Sequence, residues 1–191
     1  MINRLLLTLS SLDKIDRRLI YLVLFFAISI SLFGDISFKD QPSELIIPIY
    51  DYMENLEPGI PVLMSLEYSP TSEPELAPMA KAVSYHALQT GHPTCYMSLW
   101  PEGGMMINRL TDQLVHTCPD AVYGKQWVNL GFKVGGEMVI NSMRDSLQNI
   151  YASDVFGNSL NEIPLLRNVK GLSDFGMVFS FSGGSPGLKE W

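Results

Sequence analysis

The chain has 191 residues, 47% of them hydrophobic and only 17% charged, which excludes a disordered polypeptide and leaves ample material for a core. The net charge of −7 is unevenly placed. Arg4, Lys14, Arg17 and Arg18 against Asp13 and Asp16 give residues 1–34 a net +2, leaving −9 for the rest. Nucleic acid is therefore not an expected partner, because phosphate recognition needs clustered Lys and Arg.

The positive mean hydropathy of +0.13 traces largely to one segment. Between Arg18 and Asp35 lies LIYLVLFFAISISLFG, sixteen uncharged residues whose only hydroxyls on serine are Ser29 and Ser31. As a helix it covers roughly 24 Å, and snorkelling of Arg17 and Arg18 with inclusion of Ile36 and Phe38 extends it towards the ~30 Å hydrocarbon core. The expectation is a signal-anchor: a basic cytoplasmic stretch over 1–18, a single-pass transmembrane helix over 19–34, and everything beyond it extracytoplasmic by the positive-inside rule. The alternatives are a cleaved signal peptide, for which Ser29-Ile-Ser31 offers a small-x-small site inside the apolar run, and a buried helix of a soluble protein. On the first reading the lipid bilayer of the cell (inner) membrane is a partner.

Residues 35–59 form the next unit, a juxtamembrane amphipathic helix with Leu45, Ile46, Ile49, Tyr52, Met53 and Leu56 at helical spacing and Pro58-Gly59 ending it. Pro48 should kink this helix or displace its start. From residue 60 to 191 strands and helices alternate. Pro61–Glu67 reads as a buried strand, 73–90 as a helix with Leu76, Met79, Ala80, Val83, Ala87 and Leu88 on its inner face, and Thr94–Trp100 as a second strand. Met105–Thr117 comes next as helix, then Gln126–Phe132 as strand and Glu137–Ile150 as helix. Residues 153–174 read as loop and Met177–Ser182 as the fourth strand. This alternation predicts an α/β domain with an open, mostly parallel, doubly wound sheet of about four strands, of the Rossmann or flavodoxin kind. A TIM barrel is excluded by the strand count. After the last strand, Ser185 and Pro186 fit the cap and first turn of another helix that the chain leaves after five residues, which suggests a domain cut at its C-terminus.

Several stretches resemble a family of uncharacterised prokaryotic membrane proteins. They include Pro61-Val-Leu-Met-Ser-Leu-Glu67-Tyr68-Ser-Pro70, Glu73-Pro-Glu75-Leu-Ala-Pro78-Met79, Tyr123-Gly124-Lys125, Leu130-Gly131-Phe132-Lys133, Asp154-Val-Phe-Gly157 and Gly184-Ser-Pro186-Gly187-Leu-Lys-Glu190-Trp191. The resemblance covers roughly residues 40–191. It implies an N-terminal membrane helix, an α/β domain and a further membrane helix beyond Trp191, and it supplies no activity, cofactor or ligand.

Ligands of open parallel sheets bind outside the carboxyl ends of the strands, so the loops there hold the candidate site residues. These are Glu67 and Tyr68 after the first strand, Glu102 after the second, Lys133, Gly135 and Gly136 after the third, and Gly183, Gly184 and Ser185 after the fourth. The glycines precede helix starts, where free N–H groups suit an anion, yet neither loop spells a GxGxxG or Walker sequence; tight turns are the plainer reading. Glu67, Glu73, Glu75, Glu102 and Glu137 could gather around a hard cation, but dispersed loop carboxylates are usually solvated, so no metal is assigned. His86, His92 and His116 lack ligand spacing. Ser185 sits in GGSPG, whose proline removes the amide a nucleophile elbow needs. Cys95 and Cys118 are expected as separate thiols.

The sequence thus predicts a membrane-anchored module that binds a small ligand or a membrane-protein partner, with no cofactor identified. The alternatives are a metal- or phosphate-dependent hydrolase or transferase that uses the strand-end carboxylates and the glycine loops, with Glu67, Glu102 and Lys133 converging in one pocket, and a purely structural subunit of a membrane complex.

Overall fold

A computed structural model describes residues 16–33 and 42–191, which divide between Ser43 and Glu44 into two units. In the first, α1 spans Arg17–Phe33. Asp16 starts it, its carboxylate accepting the Arg18 N–H at 2.9 Å as an N-cap does. The apolar side chains of α1 from Leu19 to Phe33 are exposed. No helix among the described residues is long and apolar enough to cross a membrane. The basic stretch before Asp16, and Gly34, Asp35, Ile36 and Phe38, lie outside the described residues.

The second unit begins with α2, Ile46–Asn55. It is shorter than the expected helix, because Pro48 sits in its first turn, where backbone N–H groups have no intrahelical partner to lose. His92 ties the end of α2 to the connection leading into the sheet, with Nδ1 3.2 Å from the Ile60 carbonyl and Nε2 3.2 Å from that of Met53. Next come β1 (Val62–Glu67), α3 (Glu73–Gln89), β2 (Thr94–Ser98), α4 (Gly103–Thr117), β3 (Trp127–Phe132), α5 (Glu137–Asp145) and β4 (Met177–Ser182).

The four strands form one parallel sheet in the order β3-β2-β1-β4, as the α/β reading requires. Alternation along the strands divides the core into two layers. Val62, Met64, Leu66 and Tyr96 pack with Ala80 and Ala87 of α3 and with Met106, Ile107, Leu110 and Leu114 of α4. On the opposite face Leu63, Cys95, Met97, Val128 and Leu130 pack with Val139, Ile140 and Met143 of α5. The sheet is thus covered on both faces, which is why its strands read as nearly continuous apolar runs.

Some expectations change in this frame. Helix α5 stops at Asp145 instead of Ile150, because residues 170 and 171 cross its end: the Lys170 carbonyl takes the Leu147 N–H at 2.6 Å, and Gly171 lies against the Arg144 backbone. The expected loop 153–174 contains short 3₁₀ turns at Leu160–Glu162, Pro164–Leu166 and Leu172–Asp174, and Leu160, Ile163, Leu166 and Val169 are core residues. Ser185 caps no helix. Residues 183–190 bend and turn, with the Ser185 hydroxyl donating to Glu190 Oε1 at 3.0 Å and the Gly187 N–H to Oε2 at 2.7 Å. Met79, expected in the core, is exposed on α3, whose buried side carries Ala80, Ser84 and Ala87. Cys95 and Cys118 are buried and free.

Candidate functional site

The strand order places the reversal of direction at β1. The chain leaves β1 towards β2 and β3 on one side and returns from β3 to lay β4 on the other, and the loops after β1 and β4 meet above their shared boundary, where Gly183 lies against Ser72. Register sets Ser65 beside Ser180 and Glu67 beside Ser182 across that boundary.

Glu67 occupies it. As the sequence predicts, it is the last residue of β1, but its side chain is 0% exposed instead of standing with the loop acids that follow. Oε1 accepts the Ser65 hydroxyl and, at 3.3 Å, the Leu99 N–H; Oε2 accepts the Ser180 hydroxyl at 3.1 Å. Burial pushes the carboxyl up to about 7, against the pull of these donors, which favour the ionised form. The group therefore exchanges its proton near neutrality. Tyr68, the next residue, is also buried.

Tyr151 belongs to the same side of the sheet. Its hydroxyl is buried without a hydrogen-bond partner among the described residues, and burial, followed by the nearness of the ionisable Cys95 and Glu67, raises the phenol. Lys133, half-buried, holds Nζ 5.3 Å from the centre of the Tyr151 ring, within cation–π range. Lys133 is thus engaged by an aromatic face rather than left in solvent.

The surrounding loops are tightly built. Ser98 Oγ lies 2.7 Å from the Leu66 carbonyl and accepts the Trp100 N–H at 2.9 Å. Gly103 starts α4 directly over this contact, where a Cβ would stand 1.9 Å from Ser98 Oγ and 2.3 Å from the Leu66 oxygen. The Trp100 indole N–H donates to the Ser185 carbonyl at 3.0 Å, joining the second and fourth loops. Gly183 donates its N–H to the Glu67 carbonyl at 2.9 Å, and Gly184 lies against the Trp100 ring. Gly183, Gly184 and Ser185 are exposed. Gly136, at φ 52°, caps α5 in a conformation that suits glycine, and Gly135 precedes it; both serve a tight turn.

The expected acids do not converge. Glu67 is buried, whereas Glu102 and Glu137 are exposed at the starts of α4 and α5, and Glu73 pairs with Arg109. Among the described residues no three His, Cys, Asp or Glu side chains gather as a metal site requires.

Sequence reasoning passed over Ser65, Ser180, the Leu99 amide and Tyr151. The serines carried a signal: polar residues at every second position inside VLMSLE and MVFSFS fall on one face of otherwise apolar strands. Nothing local marked Tyr151, which reaches the site through the return crossing from β3 to β4.

No family model matches the chain, and no curated protein or solved structure matches it.

Proposed function

We propose that the chain is a membrane-anchored, extracytoplasmic α/β module that binds a small ligand at the carboxyl edge of its sheet, over the boundary of β1 and β4. Glu67 carries this reading. A carboxyl group fully withdrawn from water is costly to keep unless its partners are supplied, and here three donors from three strand-end segments converge on it. It stands at the carboxyl edge of the sheet, the edge at which open parallel sheets take their ligands. The unpartnered Tyr151 hydroxyl and the Lys133 ammonium on its ring add a donor and a positive charge to that side of the sheet.

Anchoring is supported by α1. Its exposed run of Leu, Ile, Val and Phe is unfavourable in water, and the basic residues Arg17 and Arg18 stand at its N-terminal end. At seventeen residues it spans about 25 Å, so the reading also needs the residues after Phe33.

Two experiments test the proposal. Reporter fusions after residue 60 should be active only outside the cytoplasm, and cytoplasmic activity would contradict the location. Thermal-shift screening of the full chain in detergent against a panel of small polar metabolites should find at least one that raises the melting temperature of the native protein but not that of Glu67→Gln. Equal stabilisation of both proteins would remove Glu67 from the site.

A further inference from the structure

The boundary of β1 and β4 is unevenly supplied with hydrogen-bonding groups. Its acceptor is the Glu67 carboxyl, and that acceptor is occupied, with Ser65 and the Leu99 N–H on Oε1 and Ser180 on Oε2. Donors are left over. The Tyr151 side chain is 1% exposed, and its hydroxyl has no partner among the described residues. Burial, then Cys95 and then Glu67 raise this phenol, so the carboxyl is in its neighbourhood. The indole N–H of Trp191, whose ring packs against the same core layer, is also withdrawn from water and unpartnered among the described residues. Buried donors without acceptors are costly, and a ligand that brings acceptors removes the cost.

The positive charge on this side is unpaired as well. Lys133 is half-buried with Nζ over the Tyr151 ring, and among the described residues no carboxylate pairs with it. An ammonium beside donors that lack acceptors suits an oxyanion better than a neutral carbonyl compound. Backbone amides separate a carboxylate from a phosphate, which sits in a cradle of free N–H groups. The loop after β4 offers no such cradle. Its Gly183 N–H is given to the Glu67 carbonyl at 2.9 Å, its Gly184 N–H to Ser182 Oγ at 3.1 Å and its Gly187 N–H to Glu190 Oε2 at 2.7 Å.

We infer, on the reading that this edge is the binding site, that its ligand is a small organic carboxylate, which accepts the Tyr151 hydroxyl and is balanced by the charge of Lys133. Glu67 sets the condition for binding. Two ionised carboxylates cannot share a site so far from water, so Glu67 carries its proton in the complex. The ionisable groups around it are Tyr151 and, beyond it, Cys95 of β2, both raised by burial and neutral near pH 7, with Lys133 over the Tyr151 ring. Ser65, Ser180 and the Leu99 amide, which touch it directly, carry no charge. The ligand is therefore taken up together with a proton once the pH exceeds the midpoint of Glu67, and its affinity falls about tenfold per pH unit beyond that point.

Titration calorimetry of the full chain in a mild non-ionic detergent tests this, with the straight-chain acids from acetate to hexanoate and their primary amides as probes. At pH 6 at least one acid should bind, and its amide about tenfold more weakly or not at all. The same acid should bind about tenfold more weakly at pH 8, where buffers of different ionisation enthalpy should show about one proton taken up. Tyr151→Phe removes a hydroxyl that has no partner in the fold, so it should keep the native dichroism and melting temperature while losing about tenfold in affinity for the acid. A Tyr151→Phe protein that binds the acid as the native chain does overturns the inference. So does a native chain that takes the amides as readily as the acids, or takes none of the acids; a ligand of another class that is lost in Glu67→Gln would then leave the binding edge standing without this ligand.

Discussion

Ser180 on β4 donates its hydroxyl to Oε2 of Glu67 on β1 at 3.1 Å, bridging strands whose residues lie 113 positions apart in the chain. Oε1 meanwhile faces Ser65 of the same strand and the Leu99 amide beyond β2. One buried carboxyl thus joins three segments at the place where the sheet reverses direction. Its proton is the most sensitive reporter of that arrangement.

Stability should fall as pH rises across the acid-to-neutral range. The folded carboxyl keeps its proton up to about pH 7, whereas the unfolded one releases it near 4.5. The folded state therefore binds more protons in between, and the contribution is complete below the unfolded value and lost as pH rises through the folded one. The loss is at most about 3 kcal/mol. Urea denaturation at pH 5 and pH 8 should show it, and Glu67→Gln should flatten the difference.

Two adjacent glycines should respond in opposite ways. At Gly103 a Cβ meets Ser98 Oγ and the Leu66 backbone, so Gly103→Ala forces α4 away from the strand ends and costs about 1–3 kcal/mol or more. At Gly104 the nearest atom to a Cβ is on the Phe132 ring at 3.5 Å, so Gly104→Ala within α4 should gain about 0.5–1 kcal/mol. Thermal denaturation of the two variants checks the contrast.

Asp154 should prove structural. Its Oδ1 accepts the Phe156 and Asn158 N–H groups at 2.9 and 2.8 Å, and its Oδ2 accepts the Tyr123 hydroxyl at 2.7 Å and the Asn158 amide at 2.9 Å. Burial opposes its ionisation, but these donors outweigh it and hold the carboxyl below its ordinary value. Its contribution is present above the unfolded value and fades as pH falls through the folded one, the reverse of Glu67. Asp154→Ala should cost about 2–3 kcal/mol at neutral pH, and less in strong acid, by urea denaturation.

The alternation of strands and helices was legible because β1 and β2 are buried on both faces and α3, α4 and α5 on one, so hydrophobic periodicity matched the layers. Boundaries failed where distant chain intruded. The end of α5 is set by Lys170 and Gly171, and the core role of residues 160–169 by the space beneath the sheet. Lys133, Gly135 and Gly136 do lie at a strand-to-helix turn and Glu67 does end its strand, but the burial of its side chain is not legible from sequence. Its neighbours Glu73 and Glu75 make it resemble one more solvated carboxylate, while the donors that give it meaning, Ser180 and the Leu99 amide, become adjacent only once the sheet has formed.

The buried site between β1 and β4 stands or falls on the titration of Glu67 itself. Carbon-detected NMR of the full chain labelled at the glutamate side-chain carboxyl carbon should give Glu67 a midpoint near pH 7, moved further upward in Ser180→Ala, where one donor to the ionised form is removed. A midpoint in the ordinary carboxyl range, unaffected by Ser180→Ala, would mean that Glu67 is open to water and would contradict the site.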